Sequence, residues 1–246
     1  VSLVALLVAI FARKPVEKEL GNKISNFYTL FVLLVTGLLG MTITGDAFNL
    51  YVLLEIAALT SYALLAMGRG RAYMATFNYV ILGTIGACFY LLGVGLLLIK
   101  TGSLNMVDIG SILPQLAGSQ AVLIAFGFLM VGVWIKMALF PFHGWLPNAY
   151  TFAPSPVAAF LSGTATKMAI YVLLRFMFTV FQPEFLEHIG LLEMVILPFA
   201  IIAMFASSIS AFLQRDLKRM LAHSSVAQLG YMLLGIGLFS QTGLTA

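Results

Sequence analysis

Three ionisable residues lie deep inside apolar stretches of the chain: Glu55 in NLYVLLEIAALT, Lys136 in WIKMALFPF and Lys167 in TATKMAIYV. A charged side chain in the middle of a bilayer costs roughly 2.5 to 3.5 kcal/mol on insertion scales. Each of these groups is therefore expected to face a partner or a water-filled path. Buried charges of both signs indicate movement of ions or protons.

The composition places these residues in a membrane protein. Of 246 residues, 61% are hydrophobic and only 9% are charged. So few charges cannot cover the surface of a soluble domain, and a backbone in lipid has no solvent partner, so its apolar stretches must be helices. The net charge of +4 is divided among short loops and indicates no nucleic-acid surface.

The chain is predicted to be all-α, a polytopic transmembrane helix bundle in a single domain over residues 1–246. We count seven full spans and one truncated span before Arg13. Because the chain starts without Met and stops just after a helix, it is expected to be a fragment. The predicted full spans are Ile24 to Ile43, Ala47 to Met67, Ala72 to Ile99, Ala121 to Phe140, Val157 to Phe181, Leu191 to Phe212 and Leu221 to Phe239.

The loop charges predict an orientation. If the loops alternate between the two sides, one side receives nine of the thirteen basic residues and the other receives only Lys100. The positive-inside rule places the basic side in the cytoplasm. The nine are Arg13, Lys14, Lys18, Lys23, Arg69, Arg71, Arg215, Lys218 and Arg219.

Glu55 and Lys136 admit two interpretations each. Glu55 lies nine residues into its span, about 13 Å deep at a rise of 1.5 Å per residue; it forms either a structural ion pair or a proton site switched by a moving partner. Lys136 precedes Pro141, which removes a backbone donor and is expected to break the helix there. The lysine then either lines an ion path at the break or extends to the interface, with Trp145 as an interface residue.

Lys167 lies too far from both interfaces to reach either of them. The small residues before it, SGTAT, allow water or another helix to approach its ammonium group closely. A lysine in such a position is a candidate proton carrier. Arg175, two turns further along, stays protonated; it either modulates Lys167 electrostatically or anchors the end of the helix.

His143 in PFHGWLP and His223 in LAHSSVAQLGY titrate nearest to physiological pH. Each is either a hydrogen-bonded structural residue or a member of a proton path. The single Cys88, expected to pack inside the bundle, allows no intrachain disulfide. We find no cofactor signature and no metal-ligand spacing, so no cofactor is predicted.

Four segments resemble one known family. They are GDAFNLYVLLEIAALTSYALLAMG, YVILGTIGACFYLLGVGLLLIKTGSLNM, KMALFPFHGWLPNAYTFAPSPVAAFLSGTATKMAIYVLLRF and QRDLKRMLAHSSVAQLGYMLLGIG. Together they are similar to the antiporter-like subunits of respiratory complex I, Mrp-type sodium/proton antiporters and membrane-bound hydrogenases. The GDAFNLYVLLE and TGSLNM segments look most like the D-type subunit of Mrp antiporters.

The resemblance implies a fold of two inverted five-helix repeats, each with a broken helix. This chain would hold the first repeat, with its break near Pro141, and the start of the second. In the family a glutamate pairs with a lysine beside the break, and a second lysine or a histidine continues the path. Glu55, Lys136 and Lys167 occupy those positions, whereas His223 stands where the family commonly has a tyrosine.

The resulting hypothesis is a proton-translocating subunit of a multisubunit membrane complex, similar to the D-type subunit of Mrp antiporters. The alternatives are the corresponding subunit of an NADH-quinone oxidoreductase or a membrane-bound hydrogenase, a subunit that itself binds quinone or a metal cluster, and a static assembly subunit. No catalytic site of its own is predicted, so enzyme activity would belong to the whole complex. The expected partners are other membrane subunits, the lipid bilayer and protons, with Na⁺ as a further candidate, in the inner (plasma) membrane. The predicted pathway residues are Glu55, Lys136, Lys167, His143 and His223.

Overall fold

The computed structural model describes residues 1–116, 118–190 and 192–238, which form eleven α-helices. The described residues contain no strand; Asp46 and Asn105 form one isolated antiparallel bridge. The helices are α1 (Ser2–Leu20), α2 (Ile24–Ile43), α3 (Ala47–Ala66), α4 (Ala72–Thr101), α5 (Met106–Ile112), α6 (Gln120–Met137), α7 (Leu146–Phe152), α8 (Ser155–Arg175), α9 (Gln182–His188), α10 (Leu197–Phe212) and α11 (Leu217–Gly237).

Six helical segments in the described residues are long and apolar enough to cross a membrane. The prediction of an all-α transmembrane bundle is therefore confirmed. α11, predicted as a seventh span as far as Phe239, is a helix of 21 residues up to Gly237; its polar residues keep it out of this set, and Phe239 lies outside the described residues. The six segments are Ile24–Ile43, Ala47–Ala66, Ala72–Thr101, Gln120–Phe152, Ser155–Val180 and Met194–Phe212.

The loops gather at two opposite ends of the bundle, in the alternation that the sequence predicts. At the basic end, Glu19, Arg69 and Lys218 border one cavity together with the turn between α7 and α8. At the other end, the start of α3 pairs with the residues before α5, and Gln182 donates to the Gly110 carbonyl. Two basic residues from separate loop regions, Arg69 and Lys218, thus meet on one face.

Glycines allow α4 and α6 to pack closely. A Cβ atom at Gly86 would lie 3.1 Å from the Gly132 carbonyl, and one at Gly93 would lie 2.9 Å from the Ala125 carbonyl. Because both contacts are with backbone of the facing helix, a larger residue would force the helices apart. Gly95, in contrast, has open space around it. The tight contact fixes α6, which carries Lys136, against α4.

Hydrogen bonds hold α3 at the end opposite the basic loops. Arg175 donates from α8 to the Thr44 carbonyl, which agrees with the anchoring alternative for this arginine. The buried Tyr90 hydroxyl donates from α4 to the Ala47 carbonyl at 3.0 Å. The Asp46 side chain accepts the backbone N–H of Asn49 and so caps α3. α3, which carries Glu55, is thereby fixed at its first turn.

Cys88 differs from the expectation. The sequence predicts that it packs inside the bundle, but its side chain is exposed on the surface of α4. A thiol is apolar enough for a lipid-facing position, so hydrophobicity alone does not distinguish the two faces of this helix.

Candidate functional site

Glu55 and Lys136 form an ion pair between α3 and α6. The Lys136 Nζ donates to the Glu55 Oε1 at 2.7 Å. The lysine side chain is 8% exposed and the glutamate side chain 23%. Two charges so far from water are compensated chiefly by one another, and removing either would leave the other buried without its partner.

The pair lies beside a break in the helix. α6 ends at Met137, one residue after the lysine, and Ala138 adopts a left-handed conformation with φ 59°. The Phe140-Pro141 peptide bond is cis, and a short 3-10 turn leads into α7. The predicted break near Pro141 is therefore confirmed. Lys136 approaches its partner from the last turn of the helix before the break.

Trp145 braces the backbone beside the break. Its Nε1 donates to the Ile135 carbonyl at 3.2 Å, and its ring stacks on Tyr79 with centroids 3.9 Å apart. The tryptophan is 3% exposed, so its interpretation as an interface residue is wrong. Because Lys136 points to Glu55 inside the bundle, its alternative as a lysine extending to the interface is wrong as well.

A small cavity of about 50 Å³ borders the pair. Besides Lys136, its polar lining residues are Ser61 and Tyr79, and the rest of its wall is apolar and comes from α2, α3 and α8. Since one liquid water occupies about 30 Å³, the cavity has room for a water molecule next to the ammonium group. Lys136 thus faces a partner on one side and a hydratable space on the other.

Lys167 faces a different and larger cavity, of about 520 Å³, between α8 and α11. Its Nζ donates to the Ser162 carbonyl of its own helix at 2.6 Å. No carboxylate of the described residues lies within ion-pair distance of it. The cavity wall includes Tyr150, Ser225 and Gln228. Lys167 is thus a half-buried lysine beside polar side chains, with no acidic partner in the described chain.

The two histidines meet at the contact of α11 with the region of the break. The rings of His143 and His223 have centroids 6.4 Å apart, and the Nδ1 atom of each is buried without a hydrogen-bond partner. Phe140 stacks on His143 at 5.3 Å. Both alternatives for the two histidines, a structural role and membership of a proton path, stay open.

The structure therefore joins the predicted residues in two pairs and leaves one apart. Glu55 meets Lys136, His143 lies beside His223, and Lys167 borders its own cavity. Sequence reasoning missed three buried side chains that carry hydroxyl groups: Tyr79 lines the cavity of Lys136, Tyr150 lines that of Lys167, and Thr166 directly precedes Lys167. Neutral hydroxyl groups on apolar helices give no charge signal, so only the packing of α4, α7 and α8 reveals them.

The fold and this site define a polytopic membrane protein with a buried ion pair at a broken helix. Residues 44–246 match the family model described as NADH:quinone oxidoreductase/Mrp antiporter, TM. The chain belongs to this family of antiporter-like membrane subunits, as its sequence motifs predicted.

Individual relatives come from both branches of the family. The chain is 46% identical to NADH-quinone oxidoreductase subunit N of Desulforudis audaxviator, over 96% of the chain and 47% of that protein. It is 32% identical to the D-type subunit of the Na(+)/H(+) antiporter of Alkalihalophilus pseudofirmus, over 98% of the chain and 48% of that protein.

One solved structure has a fold similar to that of this chain. The Mrp complex from Dietzia sp. DQ12-45-1b matches with a TM-score of 0.85 and 29% identity, over 99% of the chain and 44% of the matched subunit. The chain spans about half the length of the curated relatives that it matches.

Proposed function

We propose that the chain carries protons across the membrane as one subunit of a multisubunit complex. The observation that supports this best is the Glu55 and Lys136 ion pair, 2.7 Å long, at a helix break beside a small cavity. A purely structural ion pair needs neither the break nor the cavity. Family membership agrees, since the relatives are subunits of a quinone oxidoreductase and a sodium/proton antiporter.

The geometry suggests an electrostatic switch. While the pair is closed, the Glu55 carboxylate stabilises the protonated Lys136. When the pair opens, the ammonium group loses that partner, and its proton moves through the adjacent hydrated space towards Lys167. Lys167 receives it as a neutral amine and passes it into the larger cavity. This step transfers one proton and no electron.

His143 and His223 are proposed as members of the same path. His143 follows the break and His223 lies on α11, whose first residues face the basic loops. Imidazole exchanges protons near neutral pH, and both rings keep a nitrogen free of protein hydrogen bonds. A histidine pair at this place suits proton exchange between the path and the basic, cytoplasmic end of the bundle.

The likeness to two kinds of relative leaves two candidate complexes. The 32% identity with the D-type antiporter subunit supports the predicted antiporter, with Na⁺ as the opposing ion. The 46% identity with an N-type subunit favours a complex of the NADH-quinone oxidoreductase type. In either case the partners are other membrane subunits, and the location is the plasma membrane.

Proton transport in reconstituted vesicles tests the proposal. The complex that copurifies with the chain is reconstituted with Lys136→Ala, and with Lys100→Ala as a control that removes an exposed lysine at the end of α4. We expect formation of the pH gradient to be lost with the first variant and kept with the second, with both complexes assembled. Normal transport by assembled Lys136→Ala complexes would instead identify a static assembly subunit. The copurifying subunits show which complex it is.

A further inference from the structure

A group of buried hydroxyls lies between the two lysine cavities. Tyr79, on α4, lines the cavity of Lys136. Tyr150, on α7, lines the cavity of Lys167. The Tyr79 ring stacks on Trp145 with centroids 3.9 Å apart, and Trp145 directly precedes α7, which carries Tyr150. The stacked tryptophan thus connects the segments that hold the two tyrosines.

Residues that carry hydroxyl groups line or adjoin both cavities. Ser61 Oγ lies 3.5 Å from the Tyr79 hydroxyl, at the edge of hydrogen-bond range. Thr166 lies on α8 between Ala165, which lines the first cavity, and Lys167, which lines the second. Four helices, α3, α4, α7 and α8, thus each contribute one hydroxyl to the same region.

Two of these hydroxyls have no protein hydrogen-bond partner. Tyr150 is 4% exposed and Thr166 is 1% exposed, and neither side-chain oxygen reaches hydrogen-bond geometry with another protein group. A buried hydroxyl without a partner is costly, and such groups in native proteins are normally satisfied by water. Each buried, unpaired oxygen of this kind is a site at which a water molecule can accept one hydrogen bond and donate another.

We propose that Tyr79, Tyr150 and Thr166 form the hydroxyl step by which a proton crosses from the Lys136 cavity to the Lys167 cavity. This inference rests on the proposed proton-carrying function. One proton leaves the Lys136 ammonium group, each hydroxyl or bridging water accepts a proton on one side while releasing one on the other, and one proton arrives on the neutral Lys167 amine. Every hydroxyl ends neutral, and no electron moves.

The neighbouring Tyr62 provides a matched contrast. It packs edge-on against Tyr79 with centroids 4.5 Å apart, and its hydroxyl is also buried without a partner. That hydroxyl, however, points against Gly83 of α4 and lines neither of the two cavities. Tyr62 has the same chemistry and the same aromatic neighbour, but it is not part of the hydroxyl step. Thr164 is the corresponding contrast to Thr166, since its hydroxyl is buried and donates to the Phe160 carbonyl at 2.7 Å.

The test compares hydroxyl removals in the whole complex reconstituted in vesicles. Tyr150→Phe and Thr166→Val each remove one hydroxyl of the step, while Tyr62→Phe and Thr164→Val make the same changes outside it. We expect each of the first two to slow proton transport about tenfold, because one unmade hydrogen bond of about 1.4 kcal/mol in the path corresponds to that factor in rate. The two controls should stay within about twofold of the unmodified complex, and Thr166→Ser, which restores the hydroxyl, should recover transport.

The outcomes separate this inference from the proposed function. If Lys136→Ala abolishes transport while Tyr150→Phe and Thr166→Val leave it unchanged, the function stands and the hydroxyl step is wrong. If Tyr62→Phe and Thr164→Val slow transport as much as the first two variants, packing and not proton transfer explains the losses, and the step is again wrong. If Lys136→Ala leaves transport unchanged, the proposed function itself fails. Assembly of each variant is checked by size-exclusion chromatography of the purified complex.

Discussion

Removing either member of the buried ion pair should cost most of the transport rate. At a separation of 2.7 Å and an effective dielectric constant of about 20, two unit charges attract by about 6 kcal/mol. Desolvation offsets part of this attraction, and breaking buried pairs by truncating one partner typically costs about 3 to 5 kcal/mol. If about 3 kcal/mol of this enters the transport barrier, the rate falls about a hundredfold.

A double-mutant cycle measures whether the two residues act as one unit. Glu55→Gln, Lys136→Ala and the double variant are compared by pH-gradient formation in vesicles that contain the assembled complex. Because each single change already destroys the pair, the double variant should lose little more than either single variant. The interaction energy from the cycle should therefore be about as large as the free-energy loss caused by either single substitution.

The chain offers a control for charge removal itself. Arg13 and Glu17 form a surface pair at 3.8 Å with side chains 81% and 58% exposed. Exposed pairs of this kind contribute little, so Glu17→Gln should leave transport unchanged. Strictly additive losses from Glu55→Gln and Lys136→Ala would refute the coupled pair, because the two residues would then act separately.

Three further predictions concern the path, the orientation and the helix packing. Lys167→Arg keeps the charge but does not release its proton, so the complex should assemble and transport protons at least about tenfold more slowly. Lys167→His can still exchange a proton and should retain part of the rate. Full transport with arginine would show that the lysine acts only as a fixed charge. In a background without Cys88, a cysteine at position 184 in place of Glu184 should react with an impermeant maleimide only from outside, and labelling from the cytoplasm alone would reverse the proposed orientation. Gly93→Ala should lower the thermal stability of the complex, because the added Cβ would meet the α6 backbone. Gly95→Ala serves as the control and should not lower it, because Gly95 has open space around it. Equal melting temperatures of the two variants would contradict the close packing of α4 and α6.

Composition and charge predicted most of the fold. Apolar stretches of spanning length must be helices in lipid, so the bundle and the approximate helix bounds followed directly. The break also followed, because Pro141 cannot continue the helix. The exposed face at Cys88 did not follow, since lipid-facing and buried positions in a membrane helix are equally apolar. The lower hydropathy of α11 reflects its polar face towards the Lys167 cavity.

The site was only partly accessible from the sequence. Depth in the membrane showed that Glu55 and Lys136 each need a partner, but 81 residues separate them, and only the family resemblance indicated the pair. The approach of His143 to His223 depends on how α11 packs on α7, which no local pattern encodes. Tyr150 and Thr166 were missed because a neutral hydroxyl barely changes the hydropathy of a helix. Charges therefore indicate the end points of the proposed path, whereas the residues of the proposed hydroxyl step emerge only from packing.

The surroundings of the pair indicate which part of it moves. Tyr90 donates to the first residue of α3 and Arg175 to Thr44, just before that helix, and Trp145 braces the backbone near the end of α6. With both backbones held, the pair opens through the lysine side chain, whose four methylene groups allow rotamer changes far faster than helix motions. The cavity beside Lys136 provides the space for such a change and for the water that would replace the carboxylate. The proposed switch therefore requires a rotation of the lysine side chain and no displacement of a helix.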